Sequence, residues 1–178
     1  MATAKRSESS PNAPLRGGSL IQALKQSRVE VVAALPDIVT CDAVLWPISS
    51  DADFTLVPVC KEDEGVSICA ALSYCDKRAV LLLQHTGFLD SINAIRSIAV
   101  EYQLPVVMII GLQGLEPGRQ PIESQRLGIR ILEPICAAMG LSYKILTRDS
   151  HARVVRQGID WAYEHSQPMA LMIATTPE

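Results

Sequence analysis

Residues 78–87 read "RAVLLLQHTG". Five consecutive apolar residues leave this segment no polar face, which marks a strand buried on both sides rather than a half-exposed one. Such a strand needs helices above and below it. Five further runs read as strands: "VEVVAAL" (29–35), "FTLVPV" (54–59), "PVVMIIG" (105–111), "SYKIL" (142–146) and "PMALMI" (168–173). Connections of helix length separate them, so successive strands pair in parallel. The predicted fold is α/β, a single-domain open six-stranded parallel sheet with helices on both faces. Pro58 in the second run marks a strand end or a sheet edge.

The connecting segments carry helical patterns. "SLIQALKQS" (19–27) has Ser19 as a candidate N-cap, and "DIVTCDAVLWPI" (37–48) reads as a helix or helical turn. "EDEGVSICAALSYC" (62–75), "DSINAIRSIAVEYQ" (90–103) and "DSHARVVRQGIDWAYEHS" (149–166) are helices. "IESQRLGIRILEPICAAMG" (122–140) is a longer one in which Pro134 forces a kink or a break.

A chain of 178 residues suits one well-cored domain. Apolar residues make up 48% of it but aromatics only 4%, so the core is built from Val, Ile, Leu and Ala. The net charge of −3, with both signs mixed along the chain, excludes the basic stripe of a nucleic-acid binder. Five scattered cysteines, none in a C-x-x-C pair, read as buried free thiols of a reducing compartment. No apolar run approaches the ~18 residues of a membrane helix. The polar residues 1–18 read as a disordered arm without a secretory signal, ahead of a domain over 19–178, and cytoplasmic residence is the default.

In open parallel sheets, ligands bind beyond the carboxyl ends of the strands. The unusual residues collect there: "PD" after the first strand, "CKEDEG" after the second, "QHTG" after the third and "GLQG" after the fourth. Among Glu62, Asp63 and Glu64, the last leads directly into the apolar "GVSICAA" helix. A glutamate packed there would hold a proton near neutrality because burial disfavours its charge, leaving Glu62 and Asp63 as a solvated pair. Gly87 admits a ligand to the backbone, Thr86 offers a hydroxyl, and His85 is a proton carrier or an anion donor. Phosphate-cradle, dinucleotide, nucleophile-elbow and metal-ligand patterns are all missing.

The stretches "VPVCKEDEGVSICAALSYC" and "AVLLLQHTGFLDSINAIRSIAVEYQLPVVMIIGLQGLEPG" resemble the pyrimidine-binding domain of thiamine-diphosphate enzymes, above all the sulfopyruvate and phosphonopyruvate decarboxylases. The matching features are Glu64-Gly65, Gly87 followed by Asn93, and Gly111 with Gly114 and Glu116-Pro117-Gly118. The resemblance runs from about Leu20 to the end of the chain and rests on order and spacing, not on one motif. It implies a decarboxylase of 2-oxo acids, with a carboligase or a catalytically idle regulatory homologue as alternatives. It assigns Glu64 as the acid against the aminopyrimidine nitrogen of thiamine diphosphate, with Thr86 and Gly87 also at the cofactor.

The relatives hold the diphosphate and Mg²⁺ on a domain with a Gly-Asp-Gly stretch, which this sequence lacks. The resemblance therefore implies a separate beta subunit carrying that site, in a hetero-oligomer that takes a small 2-oxo acid. Two departures stand out. Gly87-Phe88-Leu89-Asp90 replaces a Gly-x-Gly-Asn loop. Gln113 stands where relatives have an arginine, although Arg119 and Arg126 lie nearby. Asp37, His85 and Gln113 are the candidate substrate contacts.

Overall fold

A computed structural model describes residues 13–178. Its strands are β1 (Val31–Ala34), β2 (Thr55–Pro58), β3 (Ala79–Gln84), β4 (Val107–Gly111), β5 (Ser142–Leu146) and β6 (Met169–Ile173). All pair in parallel, in the order β2-β1-β3-β4-β6-β5. Each falls inside the run that predicted it. Pro58 is the last residue of edge strand β2, where its missing N–H costs no ladder bond.

The helices are α1 (Gly17–Gln26), α2 (Trp46–Ser49), α3 (Glu62–Ser73), α4 (His85–Asp90), α5 (Ile92–Ala94), α6 (Leu127–Arg130), α7 (Leu132–Met139) and α8 (Ala152–His165). π-helical segments at Cys41–Leu45 and Ile95–Val100 lead into α2 and continue α5. Because strand side chains alternate, the sheet feeds two cores. Val32, Val80, Leu82, Ile109 and Leu171 meet α1, α2 and α8 on one face. Ala33, Leu81, Leu83, Met108 and Ile110 meet α3, α4, α6 and α7 on the other. Helices thus cover both faces, as the apolar runs require.

Several local expectations change. Residues 1–12 of the expected arm lie outside the described residues, but Leu15 is fully buried and Gly17 already opens α1. The Gly17 N–H donates to the Glu178 carbonyl and the Glu178 N–H to that of Leu15, both at 2.9 Å. Packing therefore begins ahead of Ser19, which lies inside α1, with Arg16 as the N-cap. The 122–140 segment is not one helix. Pro134 has no N–H for the Arg130 carbonyl and its ring crowds it, so the break falls at Ile131, between α6 and α7. Cys69 and Cys136 are buried, and burial pushes both thiols up to about 12. Cys60 and Cys75 are exposed, against the expectation that the thiols are buried. Among the described residues, no helix is long and apolar enough to cross a membrane.

Candidate functional site

From β1 the chain moves outward to β2, and from β3 it moves the other way to β4. The boundary between β1 and β3 is therefore a topological switch point, where the flanking loops part and leave a crevice at the carboxyl rim. All six site residues singled out from the sequence lie on loops or helix starts along this rim.

Asp37, in the loop after β1, is buried and turned inward. Its carboxylate accepts the Val39 N–H at 2.7 Å, the Thr40 N–H at 3.2 Å and the Thr40 hydroxyl. It also lies against Gly111, where a Cβ would stand 2.6 Å from Oδ1. Three local donors engage Asp37, and it holds the turn that leaves Ile38 exposed.

His85 is the first residue of α4, so "HTG" is a helix start and not an open loop. The ring is 7% exposed and its Nδ1 has no hydrogen-bond partner. Burial lowers its pKa, opposed by the Gly111 backbone and Asp37 and reinforced by the Arg126 charge. Thr86 Oγ1 donates to Gln84 Oε1 at 2.6 Å, and Gln84 Nε2 donates to Gln113 Oε1. Thr86 and Gln113 are thereby joined in one exposed polar string across the ends of β3 and β4.

The three adjacent carboxylates of α3 sort in an unforeseen way. Glu64 is exposed in the single chain, and its Oε2 accepts the N–H groups of Cys60 at 2.9 Å and Lys61 at 3.4 Å, the reaching-back half of a capping box. Asp63 pairs with Lys61 at 3.4 Å, and Lys61 also reaches Asp90 of α4 at 3.2 Å. Glu62 and Asp63 are both half-buried, and the Glu62 carboxyl lies so close to the Cα of Gly87 that a Cβ there would collide with it. Glu62 makes no hydrogen bond or ion pair within the described residues. The missed signal is angular: successive helical residues point about 100° apart, so only one of three neighbours faces α4.

Two features beside Gln113 complete the rim. On one side lies a cleft of ≈ 770 Å³, walled by Ile38, Gly114, Glu116, Arg119, Thr147 and Thr175. Arg126 lies flat against the turn at Gly114, where a Cβ would be 2.7 Å from Nε. Among the described residues, no group of three or more His, Cys, Asp or Glu side chains is placed to hold a metal ion.

This fold occurs in solved structures. The 2-oxoglutarate:ferredoxin oxidoreductase from Magnetococcus marinus, solved with 2-oxoglutarate, coenzyme A and succinyl-CoA bound, superposes with a TM-score of 0.67 at 9% identity. The match covers 93% of this chain and 30% of that longer one. In class, the chain has a fold found among thiamine-diphosphate enzymes. Its sequence relatives are narrower. Sulfopyruvate decarboxylase subunit alpha of Methanocaldococcus jannaschii is 27% identical over 160 residues, 89% of this chain and 93% of that one. Sulfopyruvate decarboxylase of Methanosarcina acetivorans is 28% identical over 158 residues, which are 87% of this chain but 39% of that protein. The alpha subunit of Methanococcus maripaludis is 31% identical over 96 residues, 54% of this chain. The chain is thus similar in sequence to sulfopyruvate decarboxylase alpha subunits, while no protein-family profile matches it.

Proposed function

We propose that this chain is the pyrimidine-binding subunit of a thiamine-diphosphate-dependent 2-oxo-acid decarboxylase of the sulfopyruvate and phosphonopyruvate type. Similarity to alpha subunits along nearly the whole chain supports the reading. The observation that carries it is the corner formed by Glu62 and Gly87, an unpaired, half-buried carboxyl against a residue with no side chain. A heterocycle with a basic nitrogen suits this corner chemically: Glu62, without a partner among the described residues, can share a proton with the nitrogen, and its flexible side chain turns out of the space beside Gly87 to admit the ring.

The resemblance gives the acid role to Glu64; because Glu64 caps α3 and Glu62 has no partner among the described residues, we assign that role to Glu62. Glu62 holds a proton at the ring nitrogen, Gly87 shapes the seat, and Thr86 with Gln84 and Gln113 lines the path toward the substrate. His85, neutral because it is buried, fixes the end of β4 beneath that path. When bound, thiamine diphosphate supplies the electron sink that lets carbon dioxide leave. The diphosphate and Mg²⁺ are assigned to a beta subunit in a hetero-oligomer. The longer Methanosarcina relative, of which this chain matches 39%, is what a fusion of the two halves would look like. Unpaired cysteines suit a reducing, cytoplasmic setting.

The test is a pair of variants in the complex copurified with its partner. Glu62→Gln keeps the fold and loses decarboxylation of 3-sulfopyruvate by about a hundredfold or more, the scale of a lost general acid. Glu64→Gln keeps most of its activity. Full activity in Glu62→Gln with loss in Glu64→Gln would return the role to Glu64. Full activity in both would remove this corner from the chemistry.

A further inference from the structure

The rim carries a cationic side chain with no hydrogen-bond or ion-pair partner among the described residues. Arg16, Arg78, Arg96 and Arg156 each pair with a carboxylate. Arg119 and Arg130 donate to the carbonyls of Glu123 and Ser124. The Arg126 guanidinium has no carboxylate or carbonyl partner among the described residues, yet its backbone is firmly held. The Arg126 N–H donates to Ser124 Oγ at 3.1 Å, and that hydroxyl donates to Glu116 Oε2 at 2.8 Å. Ser124 itself is buried. The side chain then lies over Gly114, a residue with φ of +82° whose missing Cβ leaves the space that the guanidinium fills.

Its position gives this free charge a direction. Glu62, Thr86, Gln84, Gln113 and Arg126 follow one another along the carboxyl ends of β2, β3 and β4, so a carboxyl stands at one end and a guanidinium at the other. The exposed groups between them, Thr86, Gln84 and Gln113, are uncharged, while the Asp37 carboxylate beneath is buried and engaged by Val39 and Thr40. A small acid oriented along this string would keep its negative terminus away from Glu62 and present it to a planar fork of donors, which suits oxyanions.

We propose that Arg126 is the specificity-determining residue of the site, binding the second anionic group of a dianionic 2-oxo acid and so selecting it over monoanionic acids such as pyruvate. This assignment rests on the decarboxylase reading for the identity of the substrate, but not for the existence of an anion-binding position.

Steady-state kinetics of the copurified complex test it. In Arg126→Gln, KM for 3-sulfopyruvate rises at least about tenfold, as for loss of a charge-assisted hydrogen bond. The constants for pyruvate stay unchanged, and Arg126→Lys recovers part of the loss. The remote variant Arg153→Gln, which removes the same charge, leaves both acids unaffected. Equal changes for both acids, or no change, would overturn the proposal. Calorimetry with the unreactive 3-sulfopropionate against propionate provides a readout without turnover: the wild-type complex prefers the dianion, and Arg126→Gln loses that preference. If the complex turns over no 2-oxo acid but shows this Arg126-dependent preference, the decarboxylase reading falls and the anion position stands. If it decarboxylates 3-sulfopyruvate with no dependence on Arg126, the reverse holds.

Discussion

At the scale of single residues, two glycines show how one substitution separates function from stability. A Cβ at Gly65 would strike Leu81 Cδ1, in the middle of β3 and fully buried. A packed core has no slack for it, so Gly65→Ala is expected to destabilise the fold by about 1–3 kcal/mol, read from urea unfolding. A Cβ at Gly87 would instead meet the flexible side chain of Glu62, at the rim and inside α4. That side chain can swing away, and alanine favours the helix by up to about 1 kcal/mol over glycine. Gly87→Ala is therefore expected to leave stability equal or higher while it lowers affinity for thiamine diphosphate in the complex. A Gly87→Ala complex that binds the cofactor normally would mean that the Glu62–Gly87 corner is not its seat.

At the scale of elements, what the sequence disclosed follows from how strongly each pattern is specified. The four inner strands are buried, mostly apolar runs and read directly, whereas the edge strands β2 and β5 are partly exposed and carry polar residues, and Pro58 marks one of those edges. Helix boundaries depend on finer chemistry. "HTG" reads as a loop because of its glycine, yet His85 and Phe88 turn into the core and carry the segment into α4. The choice among Glu62, Asp63 and Glu64 was invisible for a similar reason, since it depends on where α3 begins and how it is rotated. Pro134 was read correctly as a breaker, but its effect falls one turn earlier, at the carbonyl it cannot satisfy. Pro134→Ala is expected to restore a donor for the Arg130 carbonyl and to let α6 run into α7. Helical ellipticity should rise slightly while the sheet signal stays constant. If the ellipticity is unchanged, the break at Ile131 belongs to the packing of Ile129 and Leu132 and not to the proline.

At the scale of the whole molecule, His85 couples the site to the stability of the domain. It sits where α4, the end of β4, the loop after β1 and α6 come together, facing Asp37, the Gly111 backbone, Arg126 and Gly128. Its pKa is lowered from the ordinary 6.5, chiefly by burial. The unfolded chain therefore takes up a proton at this position at a pH where the folded chain does not, and stability must fall as pH drops below about 6.5. The decline ends only below the lowered folded value, where both states are protonated. His151 is lowered too, by burial and by Arg148 and Arg153, and adds a loss of the same sign. The contribution of His85 is therefore the difference between wild type and His85→Gln, in urea unfolding from pH 8 to pH 5. The wild type should lose more stability over this range than the variant, because a single domain of this size unfolds cooperatively and registers a local proton uptake globally. Parallel pH profiles for the two proteins would mean that the imidazole is as free to ionise in the fold as in the open chain, which a ring buried between Asp37 and Gly128 is not.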